Sequence, residues 1–420
     1  MVYMKKKHIF LVLLLLAVPS LSFAREARVY FTGDIIMHMP IRTAALSYNV
    51  TDRKNRTLNN RGFDFLFERI GDNLRDADIA VGNMEFPILP PYSSRPVKFN
   101  CEHEILGALK KAGFNLLNFV NNHILDQAEA GVISSLRFLN EYRMDFVGVN
   151  SSEGLARAGI VKKVRGIRIG FIAYTGILNY PRPKKQEGFY INWLYDTDKV
   201  RKDIADMKKR CDYLVMIVHT GKEYVQEPMA CDRKILKSYV EDGVDLVIGH
   251  HPHVLQPAEK IISRDGRNCY IFYSLGNFIS NQQTRLTADY NNGLGTRDSI
   301  IVKLIMKKAF FSSRITFRFE VEPIKTINTH DAKTGRRVIQ TMSQLDSIEQ
   351  MKARYAKADA NEKRTIERQM QQLKSKLDLM ERVLHRYGRV PEIMVVRNDM
   401  PAGSTVISTA RRKDSVNPSN

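Results

Sequence analysis

Leu246-Val247-Ile248-Gly249-His250-His251-Pro252-His253 is the stretch on which the reading of this chain turns. A short run of branched apolar residues predicts a buried strand, and Gly and Pro end it at once. Three imidazoles within four positions then compete for space and protonation unless something such as a metal organises them. An H-x-H pair in extended backbone also points both rings to one face. A polar cluster directly after a buried strand is the layout of a ligand site at the carboxyl edge of an open α/β sheet.

The same layout recurs along the chain. Strands are predicted over 28–32, 79–81, 115–119, 146–149, 213–218 and 246–248, with helices between them over 63–75, 104–111, 128–142, 196–209 and 231–241. Gly33-Asp34 follows the first strand, with His38 four residues on, and Gly82-Asn83-Met84-Glu85 follows the second. Asn121-Asn122-His123, with Asp126 behind it, follows the third, and His219-Thr220-Gly221-Lys222-Glu223-Tyr224 follows the strand at 213–218. Each cluster alone is ordinary cap, turn or core chemistry. Together they gather imidazole, carboxylate and amide oxygen donors at one sheet edge, a metal site with hydrolytic potential. Its lack of thiolate favours Mn, Fe or Zn in a reactive site over structural Zn. Regions 160–174 and 258–273, broken at Arg165-Gly166 and Asp265-Gly266, predict hairpins, and 299–306 with 314–322 predicts a further strand pair. The domain therefore mixes parallel and antiparallel pairing.

The chain has 420 residues, 44% hydrophobic and 26% charged, which suits a large α/β domain with an appendage or two to three smaller ones, and not a disordered, collagenous or polytopic membrane protein. Its formal net charge of +20 points to anionic partners without choosing among nucleic acid, acidic polymer and anionic membrane. Residues 1–24 read as a secretory signal peptide: Lys5, Lys6 and Lys7, an apolar run over 9–18, and Ser22-Phe23-Ala24 before Arg25. That run falls short of the about 20 residues of a membrane span. Its removal leaves 396 residues and +17. Export places the protein in the periplasm or at the cell envelope, where nucleic acid gives way to anionic envelope polymers or phosphorylated small substrates as partners.

Cys101, Cys211, Cys231 and Cys269 read equally as disulfide candidates and as buried thiols. After Pro323 the composition shifts, and 350–390 carries eleven basic and five acidic residues with apolar spacings near three and four. This is a basic amphipathic helical extension, either one long helix or a hairpin broken at 357–362, where Asp359 and Glu362 resemble a capping box. The domain reading is signal peptide 1–24, main domain 25–327, helical extension 328–397 and a loose tail 398–420.

Taken in order, G-D, G-N-x-E, N-N-H, H-x-G-x-E-Y, G-H-H-P-H-V-L-Q and Tyr273-Ser274-Leu275-Gly276-Asn277-Phe278 closely resemble the CapA or PgsA family of poly-γ-glutamate capsule biosynthesis proteins. That family looks like a branch of the calcineurin-like metallophosphoesterases, and the match spans about 28–324. The resemblance implies a four-layer α-β-β-α sandwich with a two-metal site on one edge of the paired sheets. It implies Asp34, Glu85, Asn122, His219, His251 and His253 as metal ligands, with Glu85 or Asn83 where the superfamily has a bridging Asp. It implies His123 as the non-ligand imidazole beside the scissile phosphate, Glu223 as general base or ligand support, and Asn83, Tyr224 and His250 as substrate contacts. His38 departs from the D-x-H spacing of the superfamily, and Thr220 stands where the family usually has Trp.

Two divalent ions about 3.5–4 Å apart lower the pKa of a shared water, orient it and neutralise phosphoryl charge. His123 would then give a proton to the leaving oxygen. Arg42, Arg95 and Lys98, in the loops after the first two motifs, are candidates for holding an anionic substrate. The expectation is an exported phosphoesterase-like hydrolase of capsule or envelope polymer synthesis, working beside membrane-associated capsule synthesis proteins. The alternative is a non-catalytic component that binds, exports or anchors an anionic polymer, which the replaced bridging Asp favours. A nucleotide or nucleic-acid phosphodiesterase ranks third, because no aromatic-basic binding motif supports it.

Overall fold

The computed structural model describes residues 26–93, 95–282, 293–308 and 314–397, and the backbone alone of 408–410. The expected signal peptide, and the expected tail apart from that short backbone piece, lie outside the described residues. In chain order the elements are β1 (Ala27–Ile35), α1 (Met39–Ser47), a 3-10 helix (Asn60–Phe67), α2 (Asp72–Arg75), β2 (Ile79–Met84), α3 (Glu104–Ala112), β3 (Leu116–Asn118), α4 (Ala128–Glu141), β4 (Asp145–Val147), β5 (Val149–Asn150) and α5 (Glu153–Ala158). There follow β6 (Ile160–Val164), β7 (Ile167–Thr175), β8 (Tyr190–Ile191), α6 (Thr197–Lys208), β9 (Tyr213–His219), α7 (Ala230–Asp242), β10 (Leu246–His250), β11 (Ala258–Ile262), β12 (Asn268–Phe272) and β13 (Asn277–Ile279). The last are β14 (Asp298–Lys308), β15 (Ile315–His330), β16 (Arg337–Ser343), α8 (Gln344–Tyr355), α9 (Ala360–Leu384), β17 (Ile393–Val395) and β18 (Ser408–Ala410).

Two sheets stack face to face. The larger runs β16-β15-β14-β1-β2-β3-β4, with β13 beside β1 and with β17 and β18 beside β15; the smaller runs β11-β12-β10-β9-β7-β6, and β5 pairs with β8 alone. β9 shows why, since every one of its residues is buried. Tyr213, Val215 and Ile217 enter the core shared with the larger sheet, where the Tyr213 ring meets Phe317 edge-on at 5.5 Å. Leu214, Met216 and Val218 point the other way, onto Val200, Ile204 and Met207 of α6 and Leu236, Tyr239 and Val240 of α7. A strand covered on both faces needs such an uninterrupted apolar run. Ile41 of α1, Leu66 of the 3-10 helix, Ile105 and Leu109 of α3 and Leu139 of α4 join the core of the larger sheet. The architecture is the expected α-β-β-α sandwich.

Several local expectations change. The helix expected over 63–75 is the 3-10 helix followed by the single turn α2. Arg61 and Gly62 take φ of 54° and 92°, so the segment begins in left-handed backbone, held by Asn59 accepting from the Gly62 N–H. The strand expected over 146–149 divides into β4 and β5 at Gly148, where φ is 95° and a Cβ would lie 2.1 Å from Val120 Cγ1. Arg165-Gly166 forms the tight turn between β6 and β7, with φ of 49° and 79°. The link from β11 to β12 is longer, and Ser263, Asp265 and Arg267 bond to one another within it. β15 runs through Pro323 to His330 and pairs with β16, so residue 328 lies inside a strand. Helix begins at Gln344, and α8 and α9 form a hairpin. Asp359 caps α9 by accepting from the Asn361 and Glu362 N–H groups at 2.8 Å each, while Glu362 turns away to Arg354. α9 packs Leu373, Leu377, Met380 and Leu384 into the main core. All four cysteines are free, and Cys231 alone of them is exposed.

Candidate metal centre

Register assembles the donors. β13, β1, β2 and β3 are parallel neighbours, and Asn277, Asp34, Asn83 and Asn118 stand side by side across their ends. In the smaller sheet Thr175, His219 and His250 form a matching row. The turn after β10 then adds two rings. His251 and His253 take φ of 100° and 58°, left-handed backbone that is uncommon outside glycine. The ring of His251 lies 4.9 Å from that of His219 and 5.8 Å from that of His253. Just before this turn, Gly249 lets the end of β10 come close to the backbone after β12, because a Cβ there would sit 2.0 Å from the Tyr273 carbonyl oxygen.

The buried Asp34 carboxylate accepts from Asn83 Nδ2 at 2.8 Å, His250 Nδ1 at 2.9 Å and His253 Nδ1 at 3.2 Å. Burial alone would raise its pKa, but the hydrogen bonds from His250 and His253 outweigh burial and hold it well below the ordinary aspartate value. Glu85 goes the other way: burial first, then the charges of Asp34, Glu223 and Asp126, push it well above the ordinary glutamate value. Its Oε2 accepts from Asn83 Nδ2 at 3.3 Å. Its Oε1 has no hydrogen-bond partner and faces ring nitrogens of His253, His123 and His219 at 3.8, 3.9 and 3.9 Å. A buried carboxylate oxygen left this way is costly.

Two further lone pairs are free beside it. His251 Nδ1 has no partner, and His253, committed through Nδ1 to Asp34 and Asn277, leaves Nε2 turned to Glu85. Burial depresses His251 to about 3 and holds His219 well below the ordinary imidazole value. Both rings are therefore neutral, the form that ligates a cation. Two groups have donor atoms within 4.8 Å of one another: Glu85 with His251 and His253, and Asp34 with Glu85 and His219. Glu85 belongs to both.

Asn83 laces the second group. Val120 N–H donates to Asn118 Oδ1 at 3.3 Å and Asn118 Nδ2 donates to Asn83 Oδ1 at 2.8 Å, which turns the Asn83 amide hydrogens towards the acids. Asn83 Nδ2 also lies 3.3 Å from His219 Nδ1, whose Nε2 meets Asn122 Oδ1 at 2.8 Å. Asn83 and His250, expected as substrate contacts, thus bond to Asp34 and are absent from the wall of the neighbouring cavity.

That cavity, about 370 Å³, is lined by His123 and His253 together with His38, Lys98, Glu223 and Tyr224. His123 stacks on Phe99 with centroids 4.0 Å apart, and its Nδ1 donates to Asp126 Oδ2 at 2.7 Å. Burial pushes His38 down to about 3, and it belongs to neither ligand group. Of the expected anion-holding residues, Lys98 reaches the cavity and the exposed Arg95 does not. Arg42 is corrected outright: it is closed into a two-point ion pair with buried Glu102, at 2.9 and 2.6 Å. The Tyr195 hydroxyl lies 3.4 Å from Thr220 Oγ1. Asn118 and Asn179 were missed, although both sit at or just after a strand end. Asn179 accepts from Asn122 Nδ2 at 3.1 Å and places its own Nδ2 3.3 Å from His123 Nδ1. Phe99 carried no signal in the sequence.

The family model described as bacterial capsule synthesis protein PGA_cap matches residues 28–282. The chain is 30% identical over 302 residues to the PGA biosynthesis protein CapA of Bacillus subtilis (strain 168), covering 70% of each chain. It is 30% identical over 244 residues to the capsule biosynthesis protein CapA of Bacillus anthracis, covering 55% of this chain and 57% of that one, so it spans little more than half of that relative. Among solved structures it is similar to the NAD nucleotidase of Haemophilus influenzae, with a TM-score of 0.41 and 10% identity over 84% of this chain and 60% of that one.

Proposed function

The chain belongs to the bacterial capsule synthesis protein family PGA_cap, and from that premise we propose that it is an exported, metal-dependent hydrolase of phosphoester type acting in the synthesis of an anionic, poly-γ-glutamate-type envelope polymer. The observation that carries the reading is Glu85 Oε1, buried, unpartnered and ringed by imidazole nitrogens at 3.8–3.9 Å. A divalent transition ion fits these residues, since the donors are nitrogen and oxygen without thiolate. Glu85, His251 and His253 would hold one ion, and Asp34, Glu85 and His219, with Asn122 beside them, a second. When bound, such ions supply Lewis acidity and an activated water at neutral pH.

The chain's own residues do the rest. Asp126 clamps His123 by Nδ1 and leaves Nε2 to hand a proton to the leaving oxygen. Lys98, exposed on the cavity rim, draws in the substrate's negative charge. Glu223, half-buried on the same wall, accepts a proton as general base. Supplied with Mn, Fe or Zn, the mature protein is expected to hydrolyse a generic phosphodiester, and His123→Ala to lower kcat by about 10²–10⁴-fold. Equal turnover in parent and variant contradicts the role.

Asn83 favours a second reading. Its amide hydrogens stand where a bridging carboxylate would ligate, which suits a component that binds, exports or anchors the anionic polymer through one cation without hydrolysing it. In either reading the partners are the polymer or a phosphorylated precursor and membrane-associated synthesis proteins.

A further inference from the structure

Asn281 and Gln282 join the metal cavity to a cationic cluster that the hydrolytic reading leaves unused. On the cavity side, Gln282 Oε1 accepts from Asn277 Nδ2 at 2.8 Å and Gln282 Nε2 donates to the Tyr224 hydroxyl at 3.2 Å. Asn277 in turn meets His253 Nδ1 at 3.0 Å. On the far side, Arg297 Nε donates to the Gln282 carbonyl at 3.3 Å. Arg337 donates from Nη2 to Asn281 Oδ1 at 2.8 Å and from Nε to Asn328 Oδ1 at 3.0 Å.

Every acceptor in this cluster is a neutral amide oxygen. Half-buried arginines elsewhere are matched with carboxylates, as Arg157 is with Asp203 and Arg233 with Glu259. Among the described residues neither Arg297 nor Arg337 has such a partner, and among the same residues both Nη atoms of Arg297 and Nη1 of Arg337 meet no acceptor. The two guanidiniums are close enough that burial and the charge of Arg337 together lower the pKa of Arg297. Placing like charges together in a half-buried site is unfavourable, and an oxyanion shared between two planar forks relieves it. The amide network holds Arg337 in place beforehand, which reduces the ordering that a ligand must impose.

We propose that Arg297 and Arg337 form an oxyanion subsite beside the metal cavity, holding a second anionic group of an oligoanionic substrate whose first group lies at the metal centre. The spanning of the two sites rests on the hydrolase reading above; the subsite itself does not. Carboxylate and phosphate share the required chemistry. The test is equilibrium binding of γ-linked hexaglutamate and, separately, of tripolyphosphate to the full chain, in the parent, Arg297→Gln/Arg337→Gln, the charge-keeping Arg297→Lys/Arg337→Lys, and Lys333→Gln on the exposed neighbouring loop. The glutamine pair is expected to lose about tenfold or more in affinity, the lysine pair less, and Lys333→Gln less than about twofold. The probe that binds the parent identifies the source of the oxyanion. The proposal is overturned if neither probe binds the parent, if the glutamine pair binds as tightly as the parent, or if Lys333→Gln loses as much. If the glutamine pair does not fold, the lysine pair decides, and parental affinity in it overturns the two-fork geometry. Metal content measured on the same samples reports separately on the hydrolase reading.

Discussion

Asn83 and Glu85 are two positions apart on one strand end and meet the cation problem in opposite ways. Glu85 offers an unpartnered oxygen, while Asn83 fills the second ligand group with amide hydrogens. Asn83→Asp is therefore expected to fill the second site at lower metal concentration than the parent does, so that a limiting supply of Mn or Zn gives a higher metal stoichiometry in the variant, read by elemental analysis. Unchanged stoichiometry would show that Asn83 does not limit the second site. The donors themselves were legible in the sequence, because imidazole, carboxylate and amide side chains directly after apolar strands are unusual enough to stand out together. What Asn83 and Arg42 do was not legible. The orientation of the first depends on Asn118 in the neighbouring strand, and the second is neutralised by Glu102, sixty positions away.

At the scale of elements, β11 is tied to α7 through one carboxylate. Glu259 accepts from Arg233 at 3.1 Å, Lys237 at 2.7 Å and the Tyr273 hydroxyl at 2.8 Å. Burial alone would raise its pKa, but these donors prevail and lower it from 4.5. A carboxyl lowered in the folded state contributes stability that is present above its unfolded value and lost as pH falls through its folded value. Glu259→Gln should thus cost about 1–3 kcal/mol near neutral pH. The difference from the parent should narrow in acid, measured by denaturant melts, and a gap constant down to pH 3 would contradict the linkage. Buried strands such as β9 and β10 were plain from their apolar runs, as were α3, α4, α6 and α7. β16 was hidden because its register begins beyond Pro323, and the 3-10 helix because it depends on left-handed Arg61.

For the whole molecule, the net charge of +20 first suggested bulk attraction to anions. Much of the positive charge is committed within the fold: Lys376 of the helical hairpin meets Asp298 at 3.0 Å, and Arg397 pairs with Asp378 and Glu381 at 2.5 Å each. Anion selectivity is assigned instead to the metal centre, Lys98 and the Arg297–Arg337 pair. Export remains part of the proposal and belongs to residues 1–24; N-terminal sequencing of the mature protein should begin at Arg25, and cytosolic protein that retains the leader would remove it. Among the described residues no helix is long and apolar enough to cross a membrane. The most direct test of the central claim is the metal content of the purified mature protein, read alongside phosphodiester turnover in the parent and in His251→Ala. The account predicts bound transition metal and metal-dependent turnover in the parent, with less bound metal and no turnover in the variant; a parent with no bound metal and no hydrolysis after Mn, Fe and Zn supplementation would contradict it.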